Sequence, residues 1–229
     1  MFLGHFAVGF ALKRAAPRTS LGTLVAAAQF LDLLWPWLLL LGWERVRIVA
    51  GDTPFTNLAF DSYPISHSLV MAIVWGAAFG GAYFARTRHR TASIWIAMAV
   101  ISHWVLDWIT HVPDLPIAPW SPGRDIKAGL GLWHSVAGTL VVEAALFAAG
   151  VWIYARTTRA RDRMGTVNFR VYVVALVAIY VSSIVGPPPP DPHSLAIFAL
   201  ALWLLPPWAA WVDKHRSVQS DSYSPLHWR

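Results

Sequence analysis

Between Ile101 and Asp114 the chain reads ISHWVLDWITHVPD, which sets His103, Asp107 and His111 at successive i+4 positions inside an apolar run. On a helix each four-residue step turns about 400°, so the three side chains drift by only about 40° per turn and share one stripe. Imidazole and carboxylate side by side are donors that a divalent cation takes. The competing reading is a polar stripe satisfied by its packing partners. Three ionisable groups on one face of a greasy helix are costly, however, unless they serve a site.

The rest of the composition says what surrounds that stripe. Of 229 residues 56% are hydrophobic and 13% charged, with 14 Trp, too apolar for an ordinary globular domain and typical of a polytopic membrane protein. No cysteine is present, so disulfides and thiolate metal sites are excluded and any transition metal must be held by His, Asp or Glu. The net charge of +6 sits in short runs between apolar segments, which argues against nucleic acid and for membrane topology. MFLGHFAVGFALKR has its basic residues after the apolar stretch, unlike a targeting signal, and reads as part of the mature protein.

Hydropathy predicts an all-α bundle of about six spans behind a short, half-inserted N-terminal helix. Met1 to Leu12 is too short to cross, carries His5, and ends at Lys13, Arg14 and Arg18, which suit a headgroup surface. Leu21 to Gly42 is long enough to span yet holds Gln29, Asp32 and Pro36. A loop, Trp43 to Tyr63, leads to a span from about Pro64 to Ala85 with His67 in its first turn. Thr91 to Val112 carries the stripe, and a Pro/Gly-rich loop follows, with Asp114 at its start and Trp120 and Trp133 at the interface. Leu132 to Tyr154 brings His134 and the row Ser135, Thr139, Glu143. Two further spans, about Phe169 to Val185 and Ser194 to Val212, have no ionisable residue inside and read as scaffold, and Asp213 to Arg229 reads as a polar, mobile tail. Residues 1–156 thus form the metal-bearing part and 157–229 the scaffold of one membrane unit.

Counting Lys and Arg by alternate connections puts fourteen of the 18 on one side, with Arg45, Arg47, Arg124 and Lys127 on the other, so the fourteen and the C-terminus face the cytoplasm. On that topology His5, Asp32, His67, His103, Asp107, His111, His134 and Glu143 all fall between the midplane and the outer face. Helices from distant parts of the chain therefore offer ligands at one depth, as a metal site assembled between helices requires.

A cysteine-free His/Asp set suits Zn²⁺, with Mn²⁺ or Fe²⁺ as alternatives, and His5, Asp32, His67, His103, Asp107 and His111 are the candidate ligands. A divalent ion there would lower the pKa of its water from about 15.7 to near 7, leaving Glu143 or Asp114 as general base or orienter. His5, Asp32, the triplet Ser66-His67-Ser68 and His103-x3-Asp107 with Thr110 together resemble the YdjM-like family of bacterial inner-membrane proteins, described as metal-dependent hydrolases. The resemblance covers roughly residues 1–115 and implies a helical inner-membrane protein with a His/Asp metal site and hydrolytic activity. Two motifs depart from the family: its Pro-Asp-x-Asp is here Leu31-Asp32-Leu33-Leu34, one carboxylate short, and its Arg-Gly-x-Thr-His-Ser is Tyr63-Pro64-Ile65-Ser66-His67-Ser68. The expectation is a membrane-embedded hydrolase acting on a lipid or another ester or phosphoester from the outer half of the bilayer. The alternatives are a metal or proton transporter and a non-catalytic interaction protein.

Overall fold

Run length and capping residues decide the order of elements. The structure is a computed structural model describing residues 1–119 and 126–219. Trp120, Arg124 and tail residues 220–229 lie outside the described residues. Helix α1 (Leu3–Ala15) is followed by α2 (Leu21–Ala28) and α3 (Phe30–Leu40), which meet at a 56° bend around Gln29. Next come the antiparallel hairpin β1 (Arg45–Ile48) and β2 (Leu58–Ser62), the single turn α4 (Pro64–His67), and the paired long helices α5 (Leu69–Thr87) and α6 (Arg90–Thr110). Short strands β3 (Leu115–Pro116) and β4 (Lys127–Ala128) pair ahead of a 3-10 turn at Leu132–His134 and the long helix α7 (Val136–Thr157). Strand β5 (Thr158–Ala160) and helix α8 (Arg163–Val185) follow, then α9 (Pro192–Ala199), which runs through 3-10 turns into α10 (Leu205–Lys214) and β6 (Arg216–Val218).

Among the described residues, five stretches are long and apolar enough to cross a membrane: α5, α6, α7, α8 and Pro192–Lys214. The bent pair α2 and α3 makes a sixth if it counts as one span. The protein is therefore a multi-pass, essentially all-α membrane protein. Val141, Val174 and Phe198 are each about two-thirds exposed at 67%, 66% and 67%, an outer surface suited to lipid rather than water.

Three boundaries differ from the sequence reading, each for a local reason. The stretch read as a loop, Trp43 to Tyr63, contains the β1–β2 hairpin, whose alternation Arg45-Val46-Arg47-Ile48 buries Val46 opposite Phe60. The span expected from Pro64 begins instead at Leu69: Ser68 is extended (ψ 149°) and its hydroxyl accepts the Met71 amide at 3.3 Å, so α4 is cut off as a separate turn. In the basic segment after α7, Asp162 accepts the Gly165 amide at 2.8 Å and starts α8 six residues before the predicted Phe169.

The short α1 is enclosed by other helices. It packs on α2, α6 and α7, and Phe10 and Phe6 are 0% and 1% exposed. Its contact with α7 is close because Gly150 has no side chain there: a Cβ at that position would lie 2.5 Å from the Ala7 carbonyl oxygen. At one end of this packing, Lys13 is buried rather than exposed. Its Nζ donates to Asp213 Oδ2 at 2.6 Å and to the Thr19 carbonyl at 2.8 Å, while Tyr154 donates to Asp213 Oδ1 at 2.9 Å and the Leu21 amide to Oδ2 at 3.2 Å. Asp213 is thus a partly buried tie between α1, α2, α7 and α10, not the start of a loose tail. Beyond it β6 pairs antiparallel with β5, and the Arg216 guanidinium donates to the Thr158 hydroxyl and carbonyl and to the Gly165 carbonyl.

Candidate metal centre

The bend between α2 and α3 leaves the Ala28 carbonyl free of its own helix, and a side chain takes its place. His103 Nδ1 donates to Ala28 O at 2.8 Å. A carbonyl can only accept, so Nδ1 carries the hydrogen and the remaining ring nitrogen, Nε2, presents its lone pair when the ring is neutral. That nitrogen lies 3.1 Å from Asp107 Oδ2 and 3.7 Å from Asp32 Oδ1. Despite the short approach it is aligned as a hydrogen bond with neither and has no partner, although His103 is fully buried.

Separation of α4 from α5 aims a second ring at the same spot. His67 Nε2 is 3.5 Å from Asp32 Oδ1 and 3.9 Å from Asp107 Oδ2, while its Nδ1 lies 2.7 Å from the Ser66 hydroxyl. Behind Ser66 stands Glu44, 2% exposed, whose Oε1 accepts the Ile65 and Ser66 amides at 2.8 and 2.7 Å and whose Oε2 accepts the Ser66 hydroxyl at 2.6 Å. Burial pushes the Glu44 carboxyl up from its ordinary range, against the opposing effect of those donors.

From α1, His5 adds a third ring. Its Nε2 is 3.0 Å from Asp107 Oδ1, its ring stacks on His103 with centroids 3.5 Å apart, and its Nδ1 is buried without a partner. The Met1 amino nitrogen also contacts Asp107 Oδ1. Two ligand triads result: in His5–His103–Asp107 and in Asp32–His67–His103 the donor atoms lie within 4.8 Å of one another. His103 Nε2, unpartnered beside the oxygens of Asp32 and Asp107, is what a divalent cation among them would satisfy. The donor set fits the group: neutral imidazoles and carboxylates, without sulfur, suit Zn²⁺, Mn²⁺ or Fe²⁺.

The other expected site residues are placed differently. His111 belongs to neither triad, because α6 ends at Thr110 and His111 already has extended backbone (ψ 147°). The residue before Pro113 is biased away from helix, which ends the stripe one turn early. His111 Nδ1 instead lies 2.9 Å from Asp114 Oδ1, which also accepts the Tyr63 hydroxyl at 2.9 Å, and its ring sits 4.0 Å from Trp133. Glu143 receives the Phe2 and Gly4 amides at 3.1 Å each, so it holds the start of α1 and thereby His5. His134 is exposed in the 3-10 turn before α7. Glu44 and Tyr63 were not singled out from the sequence as site residues. Tyr63 lies three residues before the Ser66-His67-Ser68 triplet, whereas Glu44 is 22 residues from Ser66 and no spacing points to it.

Three of the candidate ligands, Asp32, His67 and Asp107, line a cavity of about 360 Å³. Asp32, His67, Asp107, His111 and Glu143 supply its polar side, and Trp35, Phe60, Trp133, Tyr180, Ile184 and Leu195 its apolar wall. The β1–β2 connection and the Gly186–Pro189 turn after α8 close it further. Below the floor the bundle is packed, with Phe10, Leu21, Leu24 and Val25 all at 0% exposure.

No curated protein and no solved structure matches the chain. A family match does exist, and it takes in His67, His103, Asp107, His111, Asp114 and Glu143 while leaving His5, Asp32 and Glu44 outside it. Residues 63–186, more than half of the sequence, match the model described as YdjM inner membrane protein, and the chain belongs to that family.

Proposed function

We propose that the protein is a membrane-embedded, metal-dependent hydrolase whose site lies in the outward half of the bilayer, with Zn²⁺ as the first choice of metal and Mn²⁺ or Fe²⁺ as alternatives. The observation that carries this reading is the pair of triads meeting at the buried His103, of which Asp32, His67 and Asp107 also line a cavity with an aromatic wall. His5, Asp32, His67, His103 and Asp107 would hold the ion. When bound, a divalent ion supplies Lewis acidity to a carbonyl or phosphoryl oxygen and makes water acidic enough to lose a proton near neutral pH. Asp114 orients the His111 ring through Nδ1, so that the ring at the cavity wall can pass a proton between water and leaving group. Glu143 keeps α1, and with it His5, in register.

Trp35, Phe60, Ile184 and Leu195 favour a substrate with an apolar body beside its ester or phosphoester, which suits a lipid entering from the bilayer. The Lys- and Arg-rich connections lie at the opposite end of the spans, which supports a cytoplasmic C-terminus. The packed layer beneath the triads supports hydrolysis over transport, since a transporter needs a polar path to the inner face.

The test is metal analysis and turnover on detergent-purified protein. Wild type should carry about one equivalent of divalent metal and cleave lipid-like ester or phosphodiester analogues. His103→Ala and Asp107→Ala should lose metal and turnover together. A wild type that binds no metal stoichiometrically overturns the reading.

A further inference from the structure

We propose that Glu44, acting through Ser66, is a positioning residue that fixes the ring tautomer of His67 and turns its Nε2 lone pair toward the cavity floor. The proposal rests on the metal-centre reading above. It begins from a difference between two histidines. His103 is backed by a backbone carbonyl, which can only accept, so its tautomer is set by the backbone alone. His67 is backed by a hydroxyl, which can either donate or accept, so the Ser66 contact by itself leaves the ring undecided.

Glu44 removes that ambiguity. The helix α3 ends on Gly42 at φ 71°, where the Gly42 amide bonds the Leu39 carbonyl and the Trp43 and Glu44 amides both reach the Leu38 carbonyl. This tight reversal brings Glu44 against α4, where both carboxylate oxygens are engaged within 2.8 Å. An ionised carboxylate has no hydrogen to give, so the single Ser66 hydroxyl hydrogen goes to Oε2 at 2.6 Å. The Ser66 oxygen is then available only as an acceptor, and His67 Nδ1 at 2.7 Å must be the donor. The hydrogen on Nδ1 leaves Nε2 bare, facing Asp32 and Asp107 from distances longer than ordinary hydrogen bonds. With a proton on Glu44 or with Ser66 removed, the constraint is lost, and a hydrogen on Nε2 would block that ring as a ligand.

Two measurements on the full-length protein in detergent test the relay. In the first, ¹⁵N NMR of histidine-labelled, metal-free protein should show His67 protonated at Nδ1 in wild type, with a share shifted to Nε2–H in Glu44→Gln and Ser66→Ala. In the second, titration with Zn²⁺ should show affinity weakened by about 10- to 100-fold in both variants, at unchanged helical content. Should Glu44→Gln fail to fold, Ser66→Ala decides, because it leaves Glu44 its two backbone donors. An Nε2–H tautomer in wild type, or a folded Ser66→Ala with wild-type Zn²⁺ affinity and wild-type His67 signals, overturns the relay. If wild type takes up no Zn²⁺, the metal-centre reading fails on its own, and the tautomer comparison still decides the relay.

Discussion

Two groups of buried ionisable residues lie at opposite ends of the bundle, and they are built on different principles. At one end, Lys13 and Asp213 are an ion pair at 2.6 Å whose remaining valences are taken by Thr19, Leu21 and Tyr154. At the other end, three rings and two carboxylates converge, and two ring nitrogens, His5 Nδ1 and His103 Nε2, find no partner among the described residues. Buried polarity alone therefore does not mark a site in a membrane protein. A closed hydrogen-bond account indicates architecture, whereas an open one next to a cavity is consistent with the proposed site.

That contrast predicts opposite responses to substitution. The largest effect should come from Lys13→Met, which strands Asp213 in the interior: unfolding in detergent should become easier by about 3–5 kcal/mol, with Zn²⁺ affinity within about twofold of wild type. A loss of Zn²⁺ binding in folded Lys13→Met would break the division between the two ends. Asp32→Asn should do the reverse. Its side chain is 26% exposed, so the stability of the metal-free protein should shift by less than about 1 kcal/mol. Zn²⁺ affinity should nevertheless fall by about 100-fold, equivalent to about 2.7 kcal/mol.

The smallest effect concerns an ionic pair in neither interior. On the β1–β2 hairpin, Arg47 donates twice to Asp61, at 2.8 and 2.9 Å, and holds that carboxyl below its ordinary value of 3.8. Since the folded value is the lower one, the pair's contribution is present above about pH 4 and disappears as pH falls through the folded value. An NMR titration should place the Asp61 midpoint below 3.8, and Arg47→Gln should return it toward that number. Being exposed, the pair should have little influence on global unfolding.

Much of the His/Asp cluster was legible in the chain because i+4 spacing on a continuous helix fixes a face, and His103 and Asp107 lie within one such helix. His111 escaped that logic because the helix ends before it, a boundary that apolar periodicity does not mark. The Lys13–Asp213 tie joins residues 200 positions apart, and Asp213 sits where an apolar run gives way to polar residues, so hydropathy assigned it to a tail. Glu44 was hidden for a related reason. The segment after Gly42 read as a loop because its strands are short, although Arg45-Val46-Arg47-Ile48 carries the alternation of a half-buried strand.

Because Ala28 already claims Nδ1, His103 has a single free donor atom, and both triads require that same atom. One lone pair cannot serve two cations, so the two triads would exclude each other as independent seats, and a single ion, if bound as proposed, would either choose between them or draw on both. Occupancy should then saturate at one equivalent without cooperativity, and an ion near the midpoint could move between the His5 and His67 sides by pivoting on one ring.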